Sequence, residues 1–103
     1  MKTISGQEAV ARMREMRNNK NSHFEMTHIT WNQKKHETNG LRHVQNCRLR
    51  PALPDEKFYP HADLYLPYMD LDLKEPRMCF KKLIRTVAFP PDFIEMKVNW
   101  FNI

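Results

Sequence analysis

Apolar positions change period several times along the chain, and each period predicts an element. SGQE, Ser5 to Glu8, has the form of a capping box: a serine oxygen takes a backbone N–H of the first helical turn while the glutamate reaches back. Ala9, Val10, Met13 and Met16 or Arg17 then recur at helical spacing, with Arg12, Arg14 and Glu15 between them. A helix is expected from about Ser5 to Asn19, ended by the polar run NNKNS. HFEMTHITW, His23 to Trp31, is rich in β-branched and aromatic residues with loose alternation and reads as a strand. Arg42 to Leu49 alternates as well, and Asn39-Gly40 between the two runs is a strong hairpin signal, because a type I′ turn needs positive φ at both central residues.

With Asn39 and Gly40 as the turn, Thr38 faces Leu41, Glu37 faces Arg42, His36 faces His43, Asn32 faces Cys47 and Trp31 faces Arg48. The Glu37–Arg42 pair is attractive, and Trp31 with Arg48 makes a cation–π pair. RPALPD, Arg50 to Asp55, ends the strand, and a loop to about Ala62 follows. LYLPYM, Leu64 to Met69, has Pro67 inside an apolar run and reads as an edge strand. From Pro76 to Ala88 the helical template fits better than a strand, with Phe80, Leu83, Ile84, Val87 and Ala88 on one stripe. Pro76 suits a first turn, Asp72 and Glu75 suit the positive end of a helix dipole, and Pro90-Pro91 stops the element. Ile94, Met96, Val98 and Trp100 alternate with polar residues in a final half-buried strand from Phe93 to Phe101 that joins the hairpin's sheet. The expected fold class is α+β: one small two-layer domain spanning residues 1–103, an antiparallel sheet with a long hairpin and two helices on one face.

Composition narrows function more than it identifies it. A chain of 103 residues leaves little room for a deep cleft. Lys and Arg number 17 against 12 Asp and Glu, a formal charge of +5 that favours acidic partners. The start, MKTISGQEAVARM, lacks the apolar run of a signal peptide, and no stretch approaches the length of a membrane span. The expected location is the cytoplasm of a host cell, with incorporation in a virion as the further option; Cys47 and Cys79 are then free thiols.

His36, His43 and Cys47 share one face of the expected hairpin, but next neighbours on a strand face lie about 7 Å apart, so a common metal ion is not expected. Neither cysteine comes with an orienting third group for nucleophilic catalysis. Asp70 and Asp72 sit where helix-capping acids belong. No glycine-rich loop is present to cradle a phosphate, and no cofactor or metal is expected. Nucleic-acid binding has more behind it: Lys34, Lys35, Arg42, Arg48 and Arg50 along the hairpin, and Arg77, Lys81 and Arg85 as a basic stripe on the second helix. Protein association rests on the aromatics, with Trp31, Trp100 and Phe101 as interface candidates.

Two segments, ETNGLRHVQNCRLRPALPDE from Glu37 and EPRMCFKKLIRTVAFPPDF from Glu75, resemble short uncharacterised proteins encoded by phages and other mobile elements of gut Bacteroidota. The similarity covers under half of the chain and carries no active-site motif. It implies a phage-related role as a small virion or assembly component. The leading expectation is a non-enzymatic interaction protein that acts through protein partners or self-association and reaches them with a basic β-hairpin arm, without membrane contact. The alternative is a basic nucleic-acid-binding accessory protein.

Overall fold

The first helix forms where its cap places it. The computed structural model describes residues 2–19, 22–30, 40–50 and 64–100. Strand β1 (Lys2–Ser5) leads into helix α1 (Gly6–Met16), whose N-cap Ser5 accepts the Glu8 N–H on its Oγ at 3.1 Å, a cap of about 1 kcal/mol. Glu8 turns its carboxylate forward to Arg12, 3.4 Å away. The helix buries Ala9, Val10 and Met13. Gly6 is required at its start because a Cβ there would overlap the ring of Trp100.

Six more strands follow: β2 (Phe24–Ile29), β3 (Leu41–Leu49), β4 (Tyr65–Asp70), β5 (Glu75–Phe80), β6 (Ile84–Ala88) and β7 (Met96–Asn99). All lie in one seven-stranded sheet of order β1-β7-β6-β2-β3-β4-β5. Every pair is antiparallel except β1 with β7. This mixed, strand-rich sheet with one helix among the described residues replaces the expected antiparallel sheet under two helices.

The expected second helix is where the sequence misleads most. Residues Pro76 to Ala88 form β5, a 3-10 turn at Lys81–Leu83 and β6. The turn and an irregularity at Arg85, where β6 shifts register against β2, shift the phase of two period-2 patterns. Ile84, Val87 and Ala88 are therefore all buried from one strand, at the i, i+3, i+4 spacing that a helical stripe also has. Asp70 and Asp72 accordingly cap a hairpin turn between β4 and β5 and not a helix. Asp70 Oδ1 accepts the N–H groups of Asp72 and Leu73 at 3.1 and 3.3 Å, and Asp72 accepts from Asn46 at 2.7 Å.

The β2–β3 register also differs. Ile29 faces Leu41, His28 faces Arg42, Thr27 faces His43 and Met26 faces Val44. The ladder is closed by the Thr30 N–H donating to the Gly40 carbonyl at 2.9 Å, so a two-residue Asn-Gly turn does not set it. Burial does: this register turns Phe24, Met26 and His28 inward together with Val44, Cys47 and Leu49, and a slip of one residue would expose the whole set. Residues 31–39, which carry Trp31, Lys34, Lys35, His36 and the rest of the expected arm, lie outside the described residues, as do 51–63 and 101–103.

Strand β4 is not at an edge; it runs between β3 and β5. Pro67 is tolerated because its carbonyl still accepts the Arg50 N–H at 3.1 Å, while the Arg50 carbonyl, which faces the missing N–H, accepts from the Arg17 guanidinium at 3.5 Å.

The sheet has two unlike faces. One row crossing five strands, Lys2–Met96–Val87–Met26–Val44, faces α1; the next row, Thr3–Lys97–Thr86–Thr27–His43, faces away. Helix α1 packs over β1, β7 and β3, and the buried residues from Ile4 through Met13 and Phe24 to Cys79 form one cluster. No helix among the described residues is long and apolar enough to cross a membrane.

Candidate functional site

The period-2 pattern of β2 that buries Phe24 and Met26 also buries His28. Across the sheet, β4 buries Tyr68 on the same inner face. The two side chains meet inside the core: His28 Nε2 lies 2.9 Å from the Tyr68 hydroxyl, and the rings stand edge-on with centroids 5.8 Å apart. His28 Nδ1 lies 3.4 Å from the Ile29 carbonyl. A carbonyl only accepts, so this contact assigns the proton to Nδ1 and leaves Nε2 to accept the Tyr68 O–H.

Around this pair sit Cys47, Cys79, Asp70 and Arg77. Burial pushes the Tyr68 hydroxyl up to about 12, with both neighbouring thiols adding to the effect. Burial likewise pushes the Cys79 thiol up to about 12 and holds Cys47 well above its ordinary value, reinforced by Cys79 and Asp70. It lowers His28, an effect that the Ile29 carbonyl opposes and Arg42 and Arg77 strengthen. At neutral pH the centre therefore holds a neutral imidazole, a phenol and two thiols. None of the four is a thiolate nucleophile or a charged group. What the arrangement does chemically is cross-link β2 to β4 with satisfied polar groups inside the core.

Below it, arginines tie strand ends together. Arg50 donates to the Tyr68 carbonyl at 3.0 Å and to the Arg77 carbonyl at 2.7 Å. Arg77 pairs with Glu75 at 2.8 Å, while its buried Nε stands 3.9 Å from Asp70 without a hydrogen bond. Arg48 donates to the Arg17 carbonyl at the end of α1, 3.0 Å away.

These contacts redistribute the residues expected to bind a partner. Arg48, Arg50 and Arg77 point their guanidinium groups at carbonyls and carboxylates of their own chain. Arg77, Lys81 and Arg85 form no helical stripe: they lie on β5, in the 3-10 turn and at the β6 irregularity. Arg42 is exposed at the start of β3 and Arg85 is exposed on β6. Trp100 belongs to the fold: its indole N–H donates to the Ile84 carbonyl at 2.9 Å, and its ring packs on the core. Lys34, Lys35, Trp31 and Phe101 are outside the described residues.

His43 and Cys47, four residues apart, do not share a strand face. A bulge in β3 opposite Glu25 turns His43 outward, where it bonds Thr27 at 2.8 Å, and Cys47 inward. Among the described residues no group of three His, Cys, Asp or Glu side chains is arranged to hold a metal ion.

The surface feature that composition did not reveal is at the other end of the sheet. Among the described residues, four of the six exposed large apolar side chains, Leu64, Leu71, Leu73 and Met78, belong to the β4–β5 hairpin or border it. Leu71 and Leu73 stand on its turn, Leu73 at 59% exposure, and Met78 lies on the edge strand at 40%. The alternation in LDLKEPRM carries this signal, but it shows only once residues 75–80 are known to be a strand. No family model, curated protein or solved structure matches the chain.

Proposed function

We propose that this chain is a non-catalytic interaction protein that works within a larger or self-associated assembly. The observation that carries the reading is the concentration of exposed apolar side chains on the β4–β5 hairpin at one edge of the sheet, since exposed apolar surface gathered in one place marks association surfaces. The neutral, internally satisfied His28–Tyr68 centre supports it, because that centre stiffens the base of the same hairpin and presents no activated group. The resemblance to phage-encoded proteins makes a virion or its assembly the favoured setting.

The second reading is a basic nucleic-acid-binding accessory protein. It draws on the charge of +5 and on exposed Arg42, His43, Arg85 and Lys97. One experiment separates the two: light scattering on the purified chain at rising concentration, together with fluorescence anisotropy against single- and double-stranded DNA over a salt series. The assembly reading predicts mass that grows with concentration and little salt-sensitive DNA binding. A monomer whose DNA affinity falls steeply with salt would replace it with the second reading.

A further inference from the structure

The geometry points to β5 as a seam where two copies of this chain pair edge to edge, antiparallel, across a two-fold axis at Met78. This rests on the assembly reading and names its partner: a second copy.

The argument starts from which backbone groups face outward. The Pro67 carbonyl accepts from Arg50 on β3, so residue 67 directs its backbone groups towards β3 and away from β5. Its partner on β5 is Met78, and in an antiparallel ladder a residue opposite such a position points its own N–H and C=O to the far side. Pro76, Met78 and Phe80 therefore face outward, while Glu75, Arg77 and Cys79 bond to β4. Strand β5 ends the sheet among the described residues. Among the described residues its outward groups have no strand partner and form an open template, and the side chains that go with them are apolar. The opposite edge, β1, is only four residues long and offers Lys2, Thr3 and Ser5 beside buried Ile4.

Two-fold pairing must match outward residues with outward residues, which leaves three registers. An axis at Arg77 sets Arg77 against Arg77 of the second copy and Met78 against Pro76, which lacks an N–H. An axis at Cys79 sets Arg77 against Lys81. Both place like charges opposite one another, which is unfavourable across a strand pair. An axis at Met78 sets Glu75 against Lys81 and Arg77 against Cys79. Met78 then exchanges N–H and C=O bonds with its own counterpart, and the Phe80 N–H donates to the Pro76 carbonyl at each end. Proline acts there only as an acceptor, so its missing donor does not interrupt the centre of the ladder. The same register lays Pro76, Met78 and Phe80 beside Phe80, Met78 and Pro76 of the second copy. The apolar side chains of the outer face, where the tilted rings of Tyr65 and Phe80 already pack with centroids 4.7 Å apart, then continue across the seam.

Sedimentation velocity from low to high micromolar concentration tests this on the wild-type chain and on Met78→Pro and Met78→Lys. Among the described residues the Met78 N–H has no partner within the chain, so both variants should keep the wild-type circular dichroism and melting. The wild type is expected to dimerise reversibly, with the dissociation constant raised on the order of tenfold or more in both variants. A third variant, Met78→Cys, should form an intermolecular disulfide under mild oxidation, because the paired Cα atoms would stand about 5.5 Å apart. Ile94→Cys, exposed elsewhere, should not. A dimer that survives both substitutions and does not cross-link through position 78 would overturn the β5 seam while leaving the assembly reading in place. A wild type that stays monomeric would overturn self-pairing, and binding to other proteins would then decide the assembly reading by itself.

Discussion

The two ends of the sheet close their inner faces by opposite means. Helix α1 packs on β1, β7 and β3, and there the inner face is apolar: Ile4, Val98 and Val44 join Ala9, Val10 and Met13 in the core cluster. Towards β3–β4–β5 the inner face carries His28, Tyr68, Asp70 and Arg77, held by hydrogen bonds and ion pairs between strands. The edges differ in the same sense. Under the helix the sheet ends in a short strand with polar residues; at the other end it stops in a longer strand flanked by exposed leucines and a methionine. Among the described residues, one end of the sheet is covered by the helix, whereas the other is held by polar contacts and ends in a strand with exposed apolar side chains beside it.

Substitutions should separate the ends by the size and kind of their effects. The largest loss is expected at the helix-covered end: Met13→Ala, in a site 1% exposed, should lower unfolding free energy by about 2–5 kcal/mol in urea titrations. At the polar end Tyr68→Phe removes the donor to His28 Nε2 and should cost about 1–3 kcal/mol, the loss from leaving a buried acceptor unpaired. Adding His28→Leu to that variant should cost less than the two single losses together, because no orphaned acceptor remains. Strict additivity in this double-mutant cycle would refute the cross-link.

The polar end gives stability a pH dependence. His28 has its folded value lowered below the ordinary 6.5, so below that pH the unfolded chain binds the proton first. Stability is then complete above about pH 6.5 and declines as the pH falls towards the folded value, at up to about 1.4 kcal/mol per unit. Tyr68 and Cys79 have theirs raised, so stability is complete below the ordinary thiol value of 9.0 and is lost as the pH rises beyond it. A stability plateau between these limits is expected by chemical denaturation, and His28→Gln should flatten its acidic side only. The smallest effect should come from the exposed hairpin turn, where Leu73→Ser changes stability by less than about 0.5 kcal/mol.

The same division explains what could be read from the sequence. Helix α1 was legible because its cap and stripe are local, β2, β3 and β7 because alternation persists over part of each, and β4 because its apolar, aromatic run is short. Strands β5 and β6 were not, since the 3-10 turn interrupts them and the buried Ile84, Val87 and Ala88 of β6 keep a helical spacing. Asn39-Gly40 is a sound local signal that the burial of Phe24, Met26 and Cys47 overrides. The His28–Tyr68 bond joins residues 40 positions apart, and no spacing rule connects them before the strand order is known. Arg48, Arg50 and Arg77 looked like a charged surface because their carbonyl and carboxylate partners are equally distant in sequence.

The most direct test of the β5 seam is amide hydrogen exchange by NMR on the wild-type chain at two concentrations. Arg77 and Cys79 should be protected at both, because their N–H groups bond to β4. Met78 and Phe80 should exchange fast when dilute and slow markedly when concentrated, as a second copy covers them. If exchange at Met78 and Phe80 does not change with concentration, β5 is not the surface through which this protein associates with itself.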